Sequence, residues 1–307
     1  KNLMVGRRVV ILGSGDIGLI MARRLTLEGA TVLCVAEARS VPGGLERNVS
    51  QCLYDFGIPL YLSTTVTQIF GPKRVEGVEL CQVDAQGQPR PETARRVDCD
   101  TLLLSVGLIP ENEVGSKAGM AVDPATNGAV TDALLQTNLP GVFACGNSRK
   151  VMDLADFVTR QGYAAGGNAA RFVLGLPLEK MPPEQANAMA KGLPKPGTIT
   201  CIRCPKGCRV VVGKDGSTDG NACPKGEEYA LQEAKAPKRV LTTTLKNAAG
   251  KLVPVKTSAG VPKETLLRCM DVVRGLPPIP EGLHCGKVAV SDPFGLGIDL
   301  VVTGDQS

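Results

Sequence analysis

Tryptophan is missing from this 307-residue chain, histidine occurs once, and aromatic residues make up only 3% of it. A protein that stacks bases on its side chains needs more aromatic faces. A dominant charge is missing too. The formal net charge is +5, and no run of lysine and arginine forms a basic stripe. This excludes nucleic acid and anionic membrane surfaces as partners. No apolar stretch reaches the ~18 residues of a membrane span, so no transmembrane segment is expected. No signal peptide is visible. The eleven cysteines are an odd number, and Cys34 and Cys145 lie in apolar runs. That usage suits a reducing cytoplasm better than a disulfide framework. What is present is 43% hydrophobic residues, enough for packed cores, and a length that fits two or three domains.

The chain opens as strand, glycine loop, helix, strand. Val9 to Leu12 is a short apolar run of the kind a buried parallel strand needs. Ile17, Ile20, Met21 and Leu25 then fall at helical spacing, and Gly29 ends the helix as a C-cap glycine. Thr31 to Ala36 reads as the next buried strand, Leu45 to Tyr54 as a second helix and Ile58 to Leu62 as a third strand. Val66–Phe70, Val75–Val83 and Arg95–Cys99 are separated by glycine and proline turns and read as an antiparallel meander. Thr101 to Val106 and Val142 to Ala144 read as further buried strands, and Asp156 to Leu174 as a long helix. Five prolines between Gly175 and Gly197 mark a linker with at most a short helix between them. A cysteine-led segment follows.

Gly13-Ser14-Gly15-Asp16-Ile17-Gly18 is G-x-G-x-x-G between a buried strand and a helix, the context that makes the motif informative. Gly13 permits the tight turn, Gly15 lets the backbone approach a pyrophosphate, and Gly18 lets helix and strand pack closely. Free N–H groups and the dipole at the helix start favour the diphosphate. Glu37 follows the second strand, where its carboxylate can accept from the hydroxyls of a ribose and repel a 2′-phosphate. That favours NAD over NADP. Arg39 pulls the other way, because it can pair with a phosphate.

Later segments carry a family resemblance. Ser105 to Asn112 (SVGLIPEN) resembles an exit strand with a G-x-x-P-N turn. Thr137 to Asn147 (TNLPGVFACGN) resembles a T-x-x-P-G-V-F-A-x-G-D motif, and Arg160-Gln161 with Ala164, Ala165 and Gly166 resembles the helix after it. Together, from about Arg8 to Leu174, the chain resembles the two-dinucleotide, thioredoxin-reductase-like flavoproteins, the pyridine nucleotide-disulfide oxidoreductase family. In that family an NAD(P) domain is inserted into an FAD domain. The resemblance implies FAD contacts at Gly107, Gly146, Asn147, Arg160 and Gln161, with Asn147 standing where Asp is usual. It also implies that a first FAD segment, with its own glycine loop, is missing. Lys1 at the start then reads as a cut, with the missing segment upstream or in a partner chain. No C-x-x-C precedes Cys201, so a thioredoxin-reductase-like disulfide relay is not expected, and Cys34, Cys52, Cys81, Cys99 and Cys145 read as small hydrophobes in core or loop positions.

Cys201, Cys204 and Cys208 form C-x2-C-x3-C, and Cys223 follows in Cys-Pro-Lys-Gly. Four soft thiolates suit a [4Fe–4S] cluster or zinc. Structural zinc usually takes two paired knuckles, whereas the grouping here is three plus one, which favours the cluster and leaves zinc as the alternative. The segment resembles the iron–sulfur part of molybdopterin oxidoreductases. It resembles more closely a small uncharacterised cysteine-led domain found beside flavoproteins. His284 beside Cys285 reads as structural.

The expected fold is α/β. It comprises a Rossmann-like NAD(P) domain with its meander (1–112), the C-terminal part of an FAD domain (113–174), a linker (175–197) and a small Cys-rich α+β domain (198–307). The expected function is an NAD(P)H- and FAD-dependent oxidoreductase, with hydride passing between NAD(H) and FAD and electrons exchanged with the cluster or with a redox partner. The resemblance implies a dehydrogenase subunit, such as a glycerol-3-phosphate dehydrogenase of anaerobic metabolism, as that partner. Homo-oligomerisation stays open. The alternative is a non-enzymatic, zinc-stabilised interaction module on a degenerate dinucleotide fold.

Overall fold

Val9, Val10 and Ile11 have no solvent exposure at all, because strand β1 (Arg8–Leu12) is central and covered on both faces. Val9 and Ile11 pack on one side with Leu19, Ala22, Val35, Val49 and Leu53. Val10 packs on the other with Cys34, Val78, Leu80 and Cys99. A continuous apolar run is what a two-sided parallel strand requires. In the computed structural model, which describes residues 4–152, 154–181 and 191–304, β1 pairs in parallel with β2 (Thr31–Ala36), and β3 (Leu60–Tyr61) pairs with β2. Helix α1 (Asp16–Leu27) joins β1 to β2, and α2 (Glu46–Cys52) leads toward β3. The antiparallel meander is β4 (Thr64–Phe70), β5 (Gly77–Gln82) and β6 (Arg95–Val97), as its turns indicated. Strand β7 (Thr101–Leu104) closes the parallel sheet in the order β3-β2-β1-β7.

Three details differ from the sequence reading. The buried stripe of α1 is Gly18, Leu19, Ala22, Leu25 and Leu27, whereas Ile17 is 70% and Ile20 38% exposed. Gly18 fixes this rotation: a Cβ there would lie 2.7 Å from the Gly13 carbonyl oxygen and 2.8 Å from the Ser105 side chain. That face must therefore point at the sheet. The second difference is β7, which is an edge strand and only half buried, with Leu104 63% exposed. The third is Val142–Ala144, where Phe143 makes only an isolated bridge to Gln136.

Contacts divide the chain into two compact units, Lys1–Val106 with Ala188–Ser307, and Gly107–Asn187. The second unit holds α3 (Glu113–Lys117) and α4 (Ala155–Val173). Asn112 of the G-x-x-P-N turn is buried there and donates to the Asn127 and Ser148 carbonyls at 2.6 and 2.7 Å. The short helix expected between the linker prolines falls largely on residues 182–190, outside the described residues.

The cysteine-led segment belongs to the first unit. Strands β8 (Ile199–Thr200), β9 (Arg209–Val212) and β10 (Thr218–Asp219) form one small sheet, followed by α5 (Pro224–Lys235) and β11 (Lys238–Arg239). Strands β12 (Thr242–Lys246) and β13 (Leu252–Thr257) then form a hairpin, and β14 (Val261–Pro262) pairs with β11. After α6 (Leu266–Gly275) come β15 (Val288–Val290) and β16 (Leu300–Val302), giving an antiparallel sheet β12-β13-β16-β15. Its core takes in Leu27 from the end of α1. Arg239 lies between Asp55 and Glu233, with Nε 2.9 Å from the Asp55 carboxylate and Nη1 2.7 Å from Glu233. Arg239 is buried and its two carboxylate partners largely so, and together they tie the C-terminal segment to the turn after α2. No helix among the described residues is long and apolar enough to cross a membrane.

Candidate functional site

The glycine loop turns between β1 and α1 as its sequence requires. Gly13 has φ +99° and donates to the Ala36 carbonyl at 2.7 Å. No side chain caps α1, so the orphan amides of its first turn remain for an anion. The Asp16 side chain is engaged elsewhere. Its Oδ1 accepts from the Leu45 amide and from Asn48 Nδ2, both at 2.7 Å. The loop before α2 is thereby pinned to the glycine loop, an arrangement reinforced by the Gly44 amide on the Ser14 carbonyl at 2.9 Å.

Glu37 is buried at the end of β2. One carboxylate oxygen accepts from the Ser14 amide at 3.0 Å and the Ser14 hydroxyl at 2.5 Å. The other accepts from the Arg39 amide at 3.1 Å and Arg39 Nε at 3.0 Å. Burial by itself would raise its pKa, but the bonds from Arg39 and Ser14 outweigh burial and hold it down at about 2. Arg39, read from sequence as a possible phosphate partner, is thus engaged with Glu37. A depressed carboxylate stabilises the fold above its unfolded value, and that contribution fades as pH falls through the folded value. The Glu37 contribution, on the order of 3 kcal/mol at neutral pH, should disappear between pH 4.5 and about 2. Unfolding free energies of the wild type and Glu37→Gln, compared across that range, should converge. A gap that stayed constant would show that the ionised carboxylate contributes nothing.

In the second unit, Gly107 and Gly146 take positive φ, at +107° and +62°. Gln161 is buried and accepts from the Gly146 amide at 2.9 Å, so it holds the Gly146 turn in shape. Asn147 is exposed and accepts from the Met152 amide at 3.1 Å. Arg160 is exposed on α4. An open cleft of about 850 Å³, lined among others by Ile109, Asn127, Thr131, Arg149 and Lys150, lies in the same unit and involves none of these five residues.

Cys201 is buried, Cys208 half buried, and Cys204 and Cys223 exposed. The Cys201 amide donates to the Cys208 carbonyl at 2.8 Å, which closes the knuckle. Cys223 caps α5 through its backbone, and the Cβ position of Gly226, one turn on, lies 3.9 Å from Cys201 Sγ. Burial raises the Cys201 thiol. The Arg203 amide, bonded to it, opposes that, and the neighbouring Cys208, Cys204 and Cys223 add to the rise. Among the described residues no three His, Cys, Asp or Glu side chains are drawn into a closed ligand set. The donor chemistry and the shared knuckle fit a thiolate-bound metal or cluster. Cys34, Cys52, Cys81 and Cys99 are buried, as small core residues should be, whereas Cys145 is half buried. Burial pushes Cys34 and Cys52 up to about 11, which makes them inert at neutral pH.

Sequence reasoning missed Glu46 and Arg239. Both are charged, and no local spacing marks either of them as buried. A glutamate in the first turn of a helix is ordinarily explained by the helix dipole alone.

Residues 224–304 match a family described as a protein of unknown function (DUF1667). Among curated proteins, the chain is similar to an NADH oxidase of Methanocaldococcus jannaschii, 30% identical over 179 residues, covering 53% of this chain and 37% of that protein. It is also similar to a nitric oxide reductase FlRd-NAD(+) reductase of Pectobacterium atrosepticum, 30% identical over 155 residues, covering 49% of this chain and 37% of that protein. The chain thus spans well under half the length of these relatives, which are oxidoreductases. Among solved structures, thioredoxin reductase of Lactococcus lactis aligns with a TM-score of 0.49 at 22% identity, over 56% of this chain and 54% of that one. Thioredoxin reductase of T. acidophilum aligns with a TM-score of 0.45 at 25% identity, over 55% and 52%. Residues 1–162, more than half of the chain, match the family described as pyridine nucleotide-disulphide oxidoreductase, and the chain belongs to that family.

Proposed function

We propose that this chain binds NAD(H) and serves a flavin-dependent oxidoreductase that passes electrons onward through a metal centre on Cys201, Cys204, Cys208 and Cys223. The observation that carries the reading is the buried Glu37 carboxylate, bonded to the Ser14 amide inside an uncapped strand–glycine loop–helix unit. The first-turn amides of α1 receive the pyrophosphate. Glu37 orients the adenosine ribose and disfavours a 2′-phosphate, in keeping with relatives named for NADH and NAD(+). Gly107, Gly146, Asn147 and Arg160 are the positions on this chain that would hold FAD, with Gln161 shaping the Gly146 turn. FAD, when bound, supplies a flavin that accepts or returns hydride. The thiolates, when loaded with a [4Fe–4S] cluster, supply a one-electron carrier. The onward acceptor is a redox partner protein, a dehydrogenase subunit of the glycerol-3-phosphate dehydrogenase kind being the proposed class. The setting is cytoplasmic.

Anaerobic purification followed by metal analysis tests this. About four Fe per chain, with visible absorbance bleached by dithionite, is expected from the ligand count. One zinc and no colour would overturn the electron-carrying role and favour an interaction module. Cys204→Ser should lose the metal and still bind NADH. NADH should bind at least about tenfold more tightly than NADPH, a margin one repelled charge near the ribose can supply. Equal affinities would overturn the role given to Glu37.

A further inference from the structure

Glu46 is fully buried at the first position of α2, yet it serves neither a dinucleotide nor a sulfur directly. Its Oε1 accepts from Thr200 Oγ1 at 2.8 Å, and its Oε2 accepts from Arg209 Nε at 2.7 Å. Thr200 directly precedes Cys201, and Arg209 directly follows Cys208. The two are also paired across the β8–β9 ladder. One carboxylate therefore grips both strands of the knuckle that carries three of the four cysteines. The next residue, Arg47, reaches the same knuckle, with Nη1 3.5 Å from the Ile202 carbonyl, while its Nε is buried with no acceptor. On the other side, the residues just before Glu46 are fixed to the glycine loop. The Gly43 amide meets Ser14 Oγ at 3.0 Å, the Gly44 amide meets the Ser14 carbonyl at 2.9 Å, and the Leu45 amide meets Asp16 Oδ1 at 2.7 Å.

We infer that Glu46 is a positioning residue that couples the cysteine site to the dinucleotide loop. Loading the four thiolates orders the knuckle. The ordered knuckle fixes Thr200 and Arg209 on Glu46, and the start of α2 then holds Ser14 and Asp16 in the conformation that receives the pyrophosphate. By linkage, the dinucleotide must tighten the metal site by the same factor. This inference rests on the reading of the cysteines as a metal site and of the loop as an NAD(H) site.

The test uses the full chain, with Zn²⁺ as a redox-silent probe that tetrahedral thiolates accept whichever metal they natively hold. NADH dissociation constants are measured on chelator-stripped and Zn²⁺-loaded protein, with bound zinc quantified in each sample. The wild type should bind NADH at least about fivefold more tightly when loaded, the lower end of ordinary coupling between sites. Glu46→Gln should still bind both zinc and NADH, with the ratio reduced to about one. Thr200→Val removes one of the bonds and keeps the ion pair. It should give an intermediate ratio, and it serves if Glu46→Gln does not fold. A fully loaded wild type with a ratio of one overturns the coupling, as does a Glu46→Gln protein that keeps the wild-type ratio. If no zinc binds, the cysteine reading fails together with the coupling, and metal analysis identifies that case.

Discussion

Gly13→Ala and Gly15→Ala are expected to fail in opposite ways, although the two residues share one loop. At Gly13 an added Cβ would lie 2.1 Å from the Ser105 carbonyl oxygen, and the backbone has φ +99°. The left-handed conformation alone costs an L-residue about 1–2 kcal/mol, and the clash is with backbone that cannot swing away. Gly13→Ala should therefore lose about 3 kcal/mol or more of stability, because Ser105 and the end of β7 must shift. Gly15 has φ −63° and ψ 162°, open to any residue. Its Cβ would meet the Ser105 hydroxyl only at 3.7 Å, an ordinary contact. Gly15→Ala should keep the wild-type melting temperature. It should lose NADH binding by roughly 100-fold, since a methyl group then stands where the pyrophosphate meets the backbone. Thermal melts and NADH titrations on the two variants check both halves. Unchanged NADH affinity in Gly15→Ala would show that no phosphate approaches that residue.

Arg239→Met should be the most damaging single change far from the loop. The Arg239 side chain is 9% exposed and lies between Asp55 at 7% and Glu233 at 15%. Burial alone would lower its pKa, but Glu233 and Asp55 more than compensate and drive it up. Lys263 reaches Asp55 at 3.1 Å, and Tyr229 bonds to Glu233, but neither replaces the guanidinium that both carboxylates share. Breaking one partner of such a buried set costs about 3–5 kcal/mol, whereas neutralising the carboxylates as well restores much of it. Urea unfolding of Arg239→Met, and of Arg239→Met with Asp55→Asn and Glu233→Gln, should show a large loss and a partial recovery. A loss below about 1 kcal/mol would mean that the network behaves as a surface one.

The features legible in the sequence were those that a local pattern encodes. The continuous apolar run at Val9–Leu12 announced a two-sided strand, and Gly13–Gly18 announced the turn after it. The glycine and proline spacing between Val66 and Cys99 announced the meander. The apolar face of α1 misled because Ile17 and Ile20 share the helical period with Leu25, while the rotation is set by a contact that spacing does not encode, that of Gly18 with Ser105. The edge position of β7 depends on sheet order, which an isolated TLLL run does not carry. Within the candidate site, the loop, Glu37 and the four cysteines were readable as types at a spacing. Glu46 was not, because its partners lie more than 150 positions away, and the sequence gives no sign that a first-turn glutamate is buried.

Leu27, at the end of α1, belongs to a core whose other buried members run from Leu241 to Val302. In the order of the chain, residues 107–187 come between the two parts of that unit. During synthesis, a chain that has emerged only through α4 has completed β1 to β7 but holds Leu27, Asp55 and Glu46 without their partners. Closure across so long an intervening chain is slow. The nascent parallel sheet must therefore wait with an apolar helix end and two carboxylates unsatisfied. That makes the interval before Leu241 emerges the one in which a chaperone, or early occupation of the glycine loop by a dinucleotide, would matter most for yield.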